Sequence, residues 1–489
     1  MWSEFVYTAA EMRAAEEAYE GPTLELMERA GTAAAEAALR HFPDARRIAV
    51  WCGGGSNGGD GLVVARKLRE ARRDVEVRLA VPEEKFQGDA GEMLRQAQES
   101  GVPFGTGGEA DLVIDAVFGT GFSGAPRRAA VRLLEQLNSL RTPVLAVDVP
   151  SGVDASTGEA AAPAVTAERT ITFHALKVGH VVAPGRFHSG EVEVADIGLP
   201  SSETRHNRVS PEILELVPRR GPRDNKYTSG SVLVVGGSTG LTGAPSLTAE
   251  AALRAGAGYV AACVPASLNV VFEQRLVEVV TRPCPDEDGV MKIEAADVVL
   301  EAAERADAIA LGPGIGRRDD VRALVGFLLD RLDKPVALDA DGLWALIGNL
   351  DWVFARDAPT VLTPHAGELA RLLGRDSKWV NAHRLDATQA GADDVGATVL
   401  LKGADTLVAS PGRGVLVCDL GNPGLATAGT GDVLTGIVAA FLAKGMEPRL
   451  AAAAAAAAGG VAAGLAAERR GVSGLIARDV VESLSLALS

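Results

Sequence analysis

The sequence predicts an α/β protein of two successive domains, each a largely parallel sheet with helices on both faces. Three observations predict it. Short apolar, β-branched runs alternate with helical patterns along nearly the whole chain, the arrangement that parallel sheets require. Many of those runs stop at glycine-bearing turns that also hold an acid, as at Asp60, Asp148, Asp341 and Asp432. The alternation lapses once, between Leu199 and Asn225, where Pro200, Pro211, Pro218 and Pro222 punctuate the chain in the manner of a linker. The expected organisation is a first domain over 1–210, a linker over 211–224 with a short helix near 211–216, and a second domain over 225–489.

Composition sets the outer bounds. A chain of 489 residues, 47% hydrophobic and 23% charged, can fill two large cores. A formal net charge of −16 with no basic run argues against non-specific nucleic-acid binding and against an anionic membrane surface. Cys52, Cys263, Cys284 and Cys418 match no zinc or redox spacing. They read as free thiols of a reducing compartment, so a cytoplasmic location is expected. The first 20 residues carry Glu4, Glu11, Glu16 and Glu17 and no apolar core, unlike a signal peptide. The run from Ala451 to Ala467 is alanine with glycine, which reads as a closely packed helix rather than a membrane span. Such helices suit internal and interfacial packing alike, and a homo-oligomer is expected.

In the first half, residues 8–40 read as helix. Strands follow over 47–52, 75–81, 112–117 and 144–148, with helices between them, and 192–197 reads as a closing strand. In such sheets ligands bind beyond the carboxyl ends of the strands. Those ends carry Ser56-Asn57-Gly58-Gly59-Asp60, then Phe118-Gly119-Thr120-Gly121-Phe122-Ser123-Gly124, then Asp148-Val149-Pro150-Ser151-Gly152. Three glycine loops with carboxylates at one edge favour a phosphate-bearing ligand. The first loop is not G-x-G-x-x-G, so ordinary hydride transfer is unsupported.

This combination resembles the NAD(P)H-hydrate epimerase domain, a Rossmann-like doubly wound fold, where the first loop usually reads Asn-Asn-Gly-Gly-Asp. Ser56 stands here in place of the first Asn. The resemblance implies substrate contacts from Ser56, Asn57, Gly58, Gly59 and Asp60. It implies further contacts from Gly119, Thr120, Gly121, Phe122, Ser123, Gly124, Ala125 and Asp148, and a potassium ion held by Asn57, Asp115 and Ser151. Hard oxygen donors of this kind suit that cation. Epimerisation needs a proton donor and acceptor beside the ring; Asp148 is the first candidate and Lys177 the second.

In the second half, strands end at Gly236-Gly237-Ser238, Gly312-Pro313-Gly314-Ile315-Gly316, Asp339-Ala340-Asp341, Pro364-His365-Ala366-Gly367-Glu368 and Lys402-Gly403-Ala404-Asp405-Thr406. Thr363 is placed to cap a helix whose first residue is Pro364. The turn Gly429-Thr430-Gly431-Asp432 then opens an apolar helix to about Leu442. Glycines, a helix start and an acid together make an anion hollow with a base beside it.

These turns resemble the ADP/ATP-dependent NAD(P)H-hydrate dehydratase domain of the ribokinase-like group. The resemblance implies that Ala244, Gly314, His365 and Asp432 contact the hydrated cofactor. Lys402, Gly403, Ala404, Asp405, Thr406 and Gly431 would contact the adenine nucleotide. Asp432 would take the proton from the hydroxyl at the hydrated carbon, with ADP as co-substrate and magnesium on its phosphates. A late histidine usual in the family is replaced here by Ala463. The expected partners are hydrated NADH or NADPH and ADP. The Gly-Thr-Gly-Asp device also serves vitamin and sugar kinases, which is the alternative function.

Overall fold

The computed structural model describes residues 1–105 and 109–489. The chain forms two compact units: Phe5–His206 with Ala382–Arg384, and Met1–Glu4 with Asn207–Asn381 and Leu385–Ser489. The division falls at His206, four residues before the expected end of the first domain. Residues 211–216 do form a short 3-10 helix. They are not a free linker, because Ile213 is fully buried with the alanines of the helix Pro448–Arg470.

In the first unit, the expected helix over 8–40 is two helices, Ala9–Glu17 and Thr23–His41. Pro22 separates them, since it offers no N–H and its ring clashes with a preceding helical turn. Thr8 caps the first helix in a capping box with Glu11. The sheet has six parallel strands in the spatial order Asp74–Leu79, Arg47–Cys52, Leu112–Ala116, Val144–Val147, Arg169–Phe173, Glu191–Ala195. Its central strands are buried throughout, as helices on both faces demand. The order reverses direction at Arg47–Cys52, which opens a crevice beyond that strand and Leu112–Ala116. Strand Arg169–Phe173 was not expected. No helix precedes it, so the strand–helix alternation that reveals the others is missing there. Ser3–Tyr7 is likewise an unexpected strand.

The second unit holds parallel strands in the order Val280–Cys284, Tyr259–Pro265, Ser231–Val235, Ala308–Leu311, Val336–Leu338, Thr360–Leu362, Thr398–Leu401. Antiparallel strands Thr406–Ala409 and Leu416–Cys418 extend it. The helix Thr430–Ala443 packs against both Gly243–Arg254 and Pro448–Arg470 in one large core. Close approach explains their composition: a Cβ on Gly436 would lie 2.2 Å from the Thr248 carbonyl oxygen. Pro448–Arg470 is long and apolar enough to cross a membrane by length and composition, but 67% of its most apolar window is buried within the protein. Ala463, where the family histidine would stand, is among the buried residues.

Candidate functional site

The crevice of the first unit is a cavity of about 990 Å³. Its walls come from the turn Gly53–Asn57, from Asp60, from the loop over 117–123, from Ala125 and Asp148, and from Met12, Arg13 and Glu16 of the first helix. The expected loop 56–60 is in fact the first turn of the helix Ser56–Glu70, whose N-cap Gly55 supplies no side-chain cap. The first N–H groups of that helix therefore face the cavity as anion donors. Gly58 and Gly59 do not line it. A Cβ on Gly58 would sit 1.6 Å from the Gly53 carbonyl oxygen, and one on Gly59 would sit 2.5 Å from Met27 Sδ. Gly58 lets the helix start close to the strand end, and Gly59 lets it pack against the helix Thr23–His41. Phe122 stacks on Phe118 with ring centroids 5.0 Å apart, and Gly124 holds a φ of 69°.

Asp148 stands at the cavity wall in an over-determined frame. Its backbone is left-handed, φ 65°, a conformation that a non-glycine residue holds only when its surroundings impose it. Its N–H donates to the Ile171 carbonyl at 2.7 Å, and His180 Nε2 donates to its carbonyl at 2.8 Å. The carboxylate accepts from Lys177 Nζ at 2.8 Å, from Thr172 Oγ1 at 3.1 Å, and from the backbone and hydroxyl of Thr120. Burial works against the charge, yet the Lys177 ammonium and these hydrogen bonds outweigh it and hold the carboxyl at about 2. Lys177 is fully buried, and its other protons go to Thr172 Oγ1 at 2.7 Å and the Phe173 carbonyl at 2.8 Å. The structure thus joins the two candidates for proton transfer into one ion pair. Asp60, also at the cavity wall, is 9% exposed; burial, then the nearby Asp148 and Glu16 carboxylates, raise it well above the ordinary range.

Asn57, Asp115 and Ser151 also come together. Asp115 is fully buried and accepts from Ser151 Oγ at 2.6 Å and Ser151 N–H at 2.8 Å. Asn57 donates through Nδ2 to the Phe118 carbonyl at 2.9 Å. Its Oδ1 is buried with no hydrogen-bond partner. A buried amide oxygen is rarely left so. Orphaned amide oxygen, carboxylate and hydroxyl form a donor set that fits a hard monovalent cation.

In the second unit, residues that follow the carboxyl ends of three strands, Val336–Leu338, Thr360–Leu362 and Thr398–Leu401, meet the Gly429–Asp432 turn. Asp339 follows Val336–Leu338 and is 1% exposed. Its Oδ1 accepts from Lys402 Nζ at 2.8 Å, and its Oδ2 accepts from Thr435 Oγ1 at 2.6 Å. Lys402 lies 4.0 Å from Glu368 Oε2, and a Cβ on Gly431 would lie 3.2 Å from its Nζ. Lys402 N–H donates to the Pro364 carbonyl at 2.9 Å, which seats Lys402 beside His365. Gly429 begins the helix Thr430–Ala443 in a left-handed conformation, φ 93°, with no side-chain cap. Asp432, in the first turn, is half-buried. Burial, then the charge of Asp339, push its carboxyl up to about 7 against the pull of Lys402. A carboxyl so poised suits a general base at neutral pH.

The helix after Thr360–Leu362 starts later than expected. His365, not Thr363, is its N-cap: its Nδ1 accepts from Gly367 and Glu368 N–H, while Glu368 accepts from His365 N–H at 2.8 Å. Pro364 therefore lies outside the helix. Ala244 and Gly314 adjoin, since a Cβ on Gly314 would lie 3.3 Å from the Ala244 Cβ. Gly403 and Ala404 are exposed, Asp405 is fully buried, and Thr406 opens the next strand. Asp341 accepts from Gly316 N–H at 3.1 Å and Arg317 Nε at 2.7 Å.

Sequence reasoning missed His180, Glu16 and Thr435. The spacing of His180, three residues after Lys177, was the only local signal. Thr435 lies three residues beyond Asp432 and so on the same helical face.

The family model described as NAD(P)H-hydrate dehydratase matches residues 232–485. The one described as YjeF-related protein N-terminus matches residues 23–179. The chain is 40% identical over 511 aligned positions to the bifunctional NAD(P)H-hydrate repair enzyme Nnr of Moorella thermoacetica, covering 99% of this chain and 96% of that protein. It is 36% identical over 479 positions to the Nnr enzyme of Escherichia coli, covering 94% and 88%. The crystal structure of a ribokinase-like superfamily protein from Enterococcus faecalis aligns with a TM-score of 0.50 at 23% identity, over 59% of this chain and 97% of that one, which shows a shared fold. With both halves matched, and at this identity along nearly its whole length, the chain belongs to the family of bifunctional NAD(P)H-hydrate repair enzymes.

Proposed function

We propose that the first unit interconverts the R and S forms of hydrated NADH and NADPH, and that the second dehydrates the S form with ADP, yielding AMP and phosphate. The sequence-derived domains, 1–210 and 225–489, carry these two activities. The observation that carries the reading is Asp432: a half-buried carboxyl near neutral pKa, at a glycine turn, with the Lys402 ammonium close by. Asp432 takes the proton from the hydroxyl at the hydrated carbon as that oxygen attacks the terminal phosphorus of ADP; AMP leaves. Hydroxide is a poor leaving group and phosphate a good one. Loss of phosphate from the hydrated carbon, with loss of a proton from the adjacent ring carbon, then restores the ring double bond. Lys402 through Thr406 and Gly431 hold the nucleotide; Ala244, Gly314 and His365 seat the hydrated cofactor.

In the first unit, Ser56, Asn57, Asp60, the loop residues 119–123, Ala125 and Asp148 hold the same substrate, with Gly58, Gly59 and Gly124 shaping the turns that carry them, and Asp148 with Lys177 moves the proton that inverts the hydrated carbon. Asn57, Asp115 and Ser151 would hold a potassium ion, which supplies fixed positive charge beside the substrate. Magnesium would supply charge neutralisation on the phosphates of the nucleotide. The four cysteines are free and buried, which fits a reducing cytoplasm. The alanine-rich helix is internal, so the expected homo-oligomer uses another surface; light scattering of the purified chain decides this.

The test is incubation with hydrated NADH and either ADP or ATP. Phosphate release with recovery of reduced-cofactor absorbance is expected with ADP. Asp432→Asn should abolish it while ADP binding survives, and Asp148→Asn should stop interconversion of the epimers. A stable phosphorylated sugar or vitamin, with no recovery of the reduced cofactor, would instead make the second unit a kinase.

A further inference from the structure

The role of Asp339 goes beyond any assigned above. Its carboxylate is closed to ligands at 1% exposure, and both of its oxygens are used. Oδ1 receives Lys402, from the end of one strand; Oδ2 receives Thr435, from the helix that Asp432 opens. The backbone of Asp339 is itself clamped. Its N–H donates to the Leu311 carbonyl at 3.1 Å, its carbonyl accepts from Gly342 N–H at 2.9 Å, and a Cβ on Gly312 would lie 2.2 Å from that carbonyl oxygen. A strand end held by backbone hydrogen bonds thus sets the place of a lysine head and of a helix start. A buried carboxylate with only structural duties is commonly satisfied by neighbouring N–H groups; this one is satisfied by two side chains that flank the base.

We infer that Asp339 is a positioning residue for dehydration, fixing the Lys402 ammonium and the first turn of the helix Thr430–Ala443 in one hydrogen-bonded frame around Asp432. The inference rests on the reading of Asp432 as the base. The charged groups that face Asp432 are Asp339, Lys402, Asp341 and Glu368. Asp339, Asp341 and Glu368 disfavour its ionised form and Lys402 favours it. Removing the negative charge of Asp339 therefore makes Asp432 a weaker base and carries its titration to lower pH.

The experiment measures kcat for dehydration against pH, at saturating ADP and S-hydrate, in the full-length chain. In Asp339→Asn the acid limb should move down by about one pH unit or more, and kcat at pH 8 should fall at least about tenfold. General damage to the fold would lower kcat at every pH without moving the limb, so an unmoved limb overturns the inference. Thr435→Val keeps the volume and loses the donor to Asp339. It should lower kcat about tenfold with KM for ADP within about threefold, and Thr435→Ser should recover most of the loss. This pair decides the matter if Asp339→Asn does not fold, and wild-type kcat in Thr435→Val overturns the inference. Asp432→Asn separates the two levels. If it still dehydrates, the reading of the base falls; if it is dead and the Asp339→Asn limb is unmoved, only the present inference falls.

Discussion

Lys177→Met tests whether the Asp148–Lys177 pair organises the first unit. The pair is buried, with Lys177 unexposed and the Asp148 side chain 10% exposed. The substitution leaves the carboxylate without its cation and strips a donor from Thr172 Oγ1 and the Phe173 carbonyl. Breaking a buried pair from one side costs about 3–5 kcal/mol. The distance of Asp148 from the ordinary 3.8 down to about 2 is worth about 2.5 kcal/mol by itself, which agrees with the lower end. Hydrogen-exchange mass spectrometry on the full chain reads this locally, in peptides covering Val144–Val147 and Arg169–Phe173. A loss of about 3 kcal/mol speeds exchange about 150-fold where these amides open with the unit.

The pH dependence gives a second, signed check. In the wild type the depressed Asp148 contributes its full stabilisation above about pH 4, and loses it as pH falls toward about 2. In Lys177→Met, burial without the ammonium raises the carboxyl instead, so acidification relieves the variant while it weakens the wild type. The gap between the two proteins should begin to narrow above about pH 4, as the variant's raised carboxyl takes up its proton, and go on closing as pH falls toward about 2. Exchange within about threefold of wild type at pH 7, or a gap that widens on acidification, would refute the reasoning.

Three further outcomes follow from the same geometry. The acid limb of dehydration by the unaltered protein should lie near pH 7, with activity lost as pH falls through it, because Asp432 must be ionised to accept a proton and titrates at about 7; a pH–rate profile of kcat checks this. Gly58→Ala should destabilise the first unit by about 3 kcal/mol or more, because its Cβ would meet the Gly53 carbonyl oxygen at 1.6 Å; thermal unfolding and exchange in peptides of the helix Ser56–Glu70 report it. Asn57→Leu should remove the dependence of epimer interconversion on potassium, measured in potassium against tetramethylammonium chloride, because it deletes the one buried amide oxygen left without a partner beside Asp115 and Ser151.

The local sequence determined the strands that alternate with helices, the turns that end them and the residue types at those turns. Hydrophobic runs bounded by glycine carry their own register, and parallel sheets gather their strand ends at one rim. That is why the turns that bear Asp148, Asp432 and Lys402 could be placed at strand ends from sequence, whereas the roles given to them, and the whole Asn57–Asp115–Ser151 set, came from the family resemblance. The strand Arg169–Phe173 was not legible, because it enters the sheet after an irregular stretch instead of a helix. The later helix start at His365 was hidden for a related reason: a cap is a competition among neighbouring residues that tertiary contacts decide; the break at Pro22, by contrast, was open to a sequence reading, since proline interrupts a helix by its own covalent structure. Only the fold could show that Lys177 is fully buried against Asp148, and that Asp339 ties Lys402 to Thr435 across 63 and 96 residues of chain. Side-chain contacts of that separation leave no periodic trace in sequence. Their strength depends on exclusion of water, which is a property of the packed interior and not of any segment taken alone.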